Sequence, residues 1–181
     1  HRLNTAVKTT VDAMEVYDFA NATTGVYAFW QYDVCDVFIE LMKPVMNGTD
    51  EVAKKATRDT LWTCLDAGLR LLHPFMPFVT EELWQRLPRR AAETAPSIMV
   101  ADYPAFTDDR TDNAVEESMA VAQEIVKATR SLRAAYNLPP KTKAELFIVT
   151  RGDAATGAAK QFSAGIAALA TCAKVDILSP D

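Results

Sequence analysis

Histidine is almost missing from this sequence. His1 and His73 are the only two in 181 residues, and their separation suits neither a zinc site nor a Ser-His-Asp relay. Glycine is also sparse, at six residues, and none of it forms the Gly-rich loop that wraps a phosphate. Cys35, Cys64 and Cys172 lie far apart, form no CxxC pair and leave an odd count, which fits a reducing compartment better than a disulfide framework. Cys35 and Cys64 fall within apolar helical patterns, so both are expected to be small buried thiols. No apolar run approaches the ~20 residues of a membrane span, and no charged-then-apolar leader opens the chain. The start, His1-Arg2-Leu3-Asn4, reads as mid-helix without a cap, so the expectation is a piece of a longer protein.

What is abundant is apolar surface. At 49% hydrophobic residues the chain can bury a sizeable core in one domain or slightly more. Its formal charge of −5 excludes a surface that is basic all over, so any RNA contact must come from a local patch.

Periodicity predicts a mainly α protein. Leu3, Val7, Val11 and Met14 line one helical face. Asp18 caps a second helix with a stripe of Val26, Trp30, Val34, Val37 and Leu41, which Pro44 and then Asn47-Gly48 should stop. A third helix runs from about Asp50 to Leu72, ending at Pro74. The prolines of His73–Phe78 exclude regular helix there, and Thr80 is expected to cap a short helix with Leu83, Trp84 and Leu87 inward. Residues 88–112 read as a long loop with an extended piece at Ile98–Val100. A fourth long helix then carries Val115, Met119, Ala122, Val126, Thr129 and Leu132 on its inner face.

After Asn137-Leu138-Pro139-Pro140 the period changes. Ala144–Thr150 and Lys174–Leu178 read as strands around an alanine-rich helix, Ala155–Leu169, a βαβ-like unit with a parallel pair if the crossover is direct. The expected organisation is a helical bundle over 1–135, with its loop at 88–112, followed by a small, truncated α/β subdomain over 136–181.

The candidate site residues fall into two groups. Lys127, Arg130, Arg133, Lys141 and Lys143 converge on a helix end and its exit turn, where they could grip phosphates, and Arg89-Arg90 is a second basic candidate. The plainer reading is that the arginines complement a helix C-terminus or pair with acidic neighbours. Among Tyr27, Phe29, Tyr32, Phe75, Phe78 and Trp84, most should be core. Phe75 and Phe78 stand on a proline-stiffened segment that could present them to unpaired bases. Asp33, Asp36 and Glu40 could hold a cation but read more simply as a solvated helix face.

One segment narrows the field. HPFMPFVTEELWQRLP, from His73 to Pro88, resembles the signature of class I aminoacyl-tRNA synthetases for valine, isoleucine and leucine. YAFWQYDVCDVFIELMKP, from Tyr27 to Pro44, and RSLRAAYNLPPKTK, from Arg130 to Lys143, match in the same order, the last resembling valyl enzymes more than their relatives. QRLPRR and the stretch from Val149 through Gly157 are similar to the animal-type cytosolic valyl group, so the resemblance spans nearly the whole chain.

The resemblance implies a helix bundle that binds the tRNA anticodon stem and loop, then a small α/β piece leading to a coiled coil. It implies a parent enzyme of the cytoplasm that attaches valine to its tRNA using ATP with magnesium, with the catalytic domain on the same polypeptide and translation factors as further partners. The HIGH and KMSKS motifs that hold ATP do not occur here, so this chain is expected to carry no cofactor and to be inactive alone. The resemblance also implies that the family's principal anticodon-reading helix is to be expected just upstream of His1. Two alternatives stay open: the equivalent domain of an isoleucyl or leucyl enzyme, and a helical protein-interaction module without RNA binding.

Overall fold

A computed structural model describes residues 1–90 and 94–178. Their contacts divide into two units, His1–Thr111 and the chain from Asp112 onward.

In the first unit, α1 (Arg2–Glu15) turns sharply into α2 (Phe19–Ala28). Tyr17 adopts a left-handed backbone at the turn (φ 59), and Asp18 caps α2 by accepting from the Asn21 amide at 3.1 Å. The helix does not stay regular. Phe29–Phe38 is π-helical and runs directly into α3 (Ile39–Asn47). A wider turn changes which residues share a face. Buried positions step by four from Ala22 to Val26, then by five from Phe29 to Val34. The expected stripe through Trp30, Val37 and Leu41 is therefore broken, and Cys35, expected to be buried, is exposed. Pro44 lies inside α3 rather than ending it. The break comes at Gly48, whose amide closes on the Val45 carbonyl at 3.1 Å.

Asp50 caps α4 (Glu51–Leu72), accepting from the amides of Val52 at 2.9 Å and Ala53 at 3.0 Å. α5 (Pro77–Arg86) begins at proline, whose missing N–H would have had no helical partner there. Thr80 does not cap it, contrary to expectation. It sits one turn inside, fully buried, donating its hydroxyl to the Met76 carbonyl at 2.8 Å. Leu83, expected inward, is exposed, whereas Trp84 is buried as expected. Ile98–Val100 is a 3₁₀ turn capped by Ser97 rather than an extended piece. Ile98 packs with Leu69 and Trp84 in one core cluster, while Val7, Val26, Phe29, Val34 and Leu71 form another.

Gly68 makes the crossing of α4 with the π-helical segment possible. A β-carbon there would lie 2.8 Å from Trp30 Cζ2 and 3.1 Å from Phe29 Cε1. The bare backbone instead lets the Trp30 indole reach the Gly68 carbonyl at 3.3 Å.

The second unit opens with α6 (Asn113–Ala135), capped by Asp112. α6 packs on the helices of the α/β unit, and the contacts divide at Thr111/Asp112. β1 (Ala144–Val149) and β2 (Cys172–Leu178) pair in parallel, Leu146 opposite Val175 and Ile148 opposite Ile177. The single connecting helix expected between them is two, α7 (Asp153–Gln161) and α8 (Ser163–Ala170), broken at Phe162. Ala122, Val126 and Thr129 of α6 are buried as expected, but Val115 and Leu132 are exposed. Residues 91–93 of the expected loop and 179–181 of the expected subdomain lie outside the described residues. Among the described residues no helix is long and apolar enough to cross a membrane.

Candidate nucleic-acid interface

The five cations grouped on α6 and its exit turn separate into two kinds. Arg130 donates to the Leu169 carbonyl from Nε at 3.1 Å and from Nη2 at 2.8 Å. Arg133 donates to the carbonyls of Thr171 at 3.3 Å, Pro139 at 3.2 Å and Thr142 at 2.7 Å. Both guanidinium groups thus satisfy carbonyls at the end of α8 and in the turn after α6, which have no partner within a helix. The helix end they complement is that of α8, not their own. Lys127, 3.8 Å from Glu124, and the turn residues Lys141 and Lys143 keep their ammonium groups at the surface, where phosphates can reach them.

Arg89 and Arg90 are also built into the fold. The Arg89 guanidinium stacks 4.1 Å above the Trp84 ring and donates to Ala95 and Gln85. Arg90 lies 4.0 Å over Trp62 and pairs with Asp59 at 2.9 Å. The Trp62 indole donates to the Pro88 carbonyl at 2.8 Å, so two tryptophans and two arginines fasten the exit of α5 to α4.

The aromatic candidates divide just as sharply. Phe75 is half-buried against the first core cluster, and Phe29 and Trp84 are core. Phe78 is 91% exposed at the second position of α5, directly after Pro77. Tyr27 and Tyr32 meet edge to face at 6.0 Å on the surface. Sequence reasoning missed a further exposed pair, Tyr17 and Phe19, 6.4 Å apart around the α1–α2 turn. The available signal was that Tyr17 falls off the α1 stripe immediately before the capping Asp18.

The carboxylates form no metal centre. Asp36 accepts from Gln31 at 3.3 Å and Glu40 pairs with Lys43 at 2.5 Å, while Asp33 lies 4.0 Å from Arg2. Among the described residues no group of His, Cys, Asp and Glu is placed to hold a metal. Burial pushes the Cys64 thiol above its ordinary range, which disfavours the nucleophilic thiolate.

Exposed aromatic rings in the first unit and surface lysines in the second are groups that can contact a nucleic acid. Comparison with known proteins agrees. The chain is 45% identical over 98% of its length to human valine–tRNA ligase, of which it spans 14%. It is 41% identical over 98% of its length to the Caenorhabditis elegans valine–tRNA ligase, spanning 17% of that protein. To the Geobacillus stearothermophilus valine–tRNA ligase it is 40% identical over 84% of its length, again spanning 17% of the relative. The chain therefore covers about one sixth or less of these relatives. The family model for the anticodon-binding domain of tRNA ligase matches residues 1–148, and the chain belongs to that family.

Proposed function

We propose that this chain is the tRNA anticodon stem-loop binding domain of a valine–tRNA ligase. The observation that carries the reading is 45% identity to a valine–tRNA ligase along 98% of the chain, together with the family match. The catalytic domain belongs to the same polypeptide, uses ATP with magnesium and works in the cytoplasm, and translation factors are further partners. No cofactor is assigned to this chain. Within the domain, Phe78 offers a face for a base to stack on, and Lys127, Lys141 and Lys143 offer charge to phosphates; these two classes of contact differ in what they can read. The test is a binding titration of the full-length protein with tRNA bearing a valine anticodon, against the same tRNA altered at the middle base. Tighter binding of the unaltered tRNA is expected. Equal, weak binding of both would favour a protein-interaction module, and preference for an isoleucine or leucine anticodon would move the domain to a sister enzyme.

A further inference from the structure

Lys55 and Arg58 of α4 lie outside the groups that the sequence motifs single out, and Arg90, of the second basic candidate, joins them at Asp59. Asp59 receives the Lys55 ammonium at 2.8 Å on one carboxylate oxygen and the Arg90 guanidinium at 2.9 Å on the other. The hydrogen bond from Lys55, then the charges of Lys55, Arg90 and Arg58, hold this carboxyl below its ordinary range. One carboxylate therefore faces three cations and can neutralise only one. Arg58, an exposed residue, makes no ion pair among the described residues. In a protein of net charge −5, a concentration of unneutralised positive charge costs self-repulsion unless an anion joins it.

Two further features mark this place. Arg90 is already immobilised over the Trp62 ring at 4.0 Å, and Trp62 is itself tied to the Pro88 carbonyl, so little side-chain freedom remains to be lost on binding. A groove of about 420 Å³ lies alongside, lined by Asp59, Thr60, Asn4, Cys64 and Arg110, with Lys55, Arg58 and Arg90 outside its lining. Guanidinium groups present planar forks that match phosphate oxygens, and cations spread over an exposed face suit the phosphates of a chain better than one enclosed small anion.

We infer that Lys55, Arg58 and Arg90 form a docking point for the phosphate backbone of RNA, separate from the positions that face bases. This rests on the reading of the chain as a tRNA-binding domain. A backbone interaction of this kind adds affinity without sequence preference and positions the duplex or loop for recognition elsewhere.

The test is a salt titration of tRNA binding to the full-length protein, comparing wild type with Arg58→Glu and with Arg58→Glu/Arg90→Gln. The expected result is weaker binding of tRNAs of every anticodon alike, with the slope of log K against log salt flattened by about one unit for each phosphate no longer held. Arg58→Lys should keep most of the slope, and Arg58→Glu should keep the unfolding midpoint, since the Arg58 side chain holds no ion-pair partner among the described residues. An unchanged slope in both variants, with wild-type tRNA binding intact, overturns the inference and leaves the functional reading standing. Wild-type protein that binds no tRNA overturns both. If the variants lose binding to poly-glutamate but not to tRNA, the face serves an acidic protein and the RNA assignment falls.

Discussion

The Trp84 indole donates to Asp66 Oδ1 at 2.8 Å, joining two buried residues 18 positions apart, one on α5 and one on α4. Arg70 takes the other oxygen of the same carboxylate. A buried carboxylate is tolerated only when its lone pairs are occupied, and here a tryptophan and an arginine occupy them.

Trp84→Ala should therefore cost about 3 kcal/mol or more, the usual loss for a large aromatic removed from a core, with the orphaned Asp66 oxygen adding to it. Trp84→Phe keeps most of the apolar area and loses the donor, for a penalty of about 1–3 kcal/mol. Urea midpoints of the two variants check this, and an unchanged midpoint in both would mean that Trp84 is not core.

Gly68→Ala should destabilise by about 1–3 kcal/mol, because the new methyl lands 2.8 Å from Trp30 Cζ2 with Phe29 on its other side. The loss should appear in the denaturation midpoint together with a change in tryptophan fluorescence as the Trp30 ring is displaced.

Arg133→Ala should lower the stability of the second unit by about 1.5–3 kcal/mol, since one guanidinium serves three carbonyls. Arg133→Lys should not rescue it, because a single ammonium cannot span those acceptors. Reversing Lys127, Lys141 and Lys143 should instead leave the midpoint alone and flatten the salt dependence of tRNA binding. A flattened slope on Arg133→Ala with unchanged stability would return that arginine to the interface.

Phe78→Ala should leave stability within about 0.5 kcal/mol, as its ring lies almost wholly in solvent. If a base stacks there, tRNA binding should weaken by about 1–3 kcal/mol and the preference among anticodons should shift. Equal affinity for all tRNAs before and after the change would remove Phe78 from the interface.

The isolated chain should form no valyl-adenylate. It carries neither ATP-holding motif, and among its described residues no group is placed to hold a metal ion. Valine-dependent pyrophosphate exchange should stay at background, and activity above it, with contaminating enzyme excluded, would contradict the assignment to a binding domain.

Local chemistry is legible in the order of residues alone. Asp18, Asp50 and Asp112 are short acceptors placed just before helices, and each caps the helix that follows it, although sequence reasoning assigns that role only to Asp18. The change from helical to alternating period locates both strands. The segment from His73 to Pro88 is sufficient to suggest the family, because proline spacing and signature are properties of the chain itself.

What the sequence could not decide was partnership. The π-helical turns from Phe29 to Phe38 shift the buried register by one residue, and Trp30 within them meets Gly68, 38 positions away. Thr80 has the residue type of a cap but is buried within its helix because Pro77 supplies the first position. Arg130 and Arg133 look like a phosphate site in one dimension. Their guanidinium groups are committed to Leu169 and Thr171 because packing of α6 on α8 brings carbonyls 38 and 39 residues distant within hydrogen-bond reach. Local propensity and spacing determined where the elements lie; only tertiary packing decided which charges are spent on the fold and which remain for a ligand, since a charged side chain takes whatever acceptor the fold delivers to it.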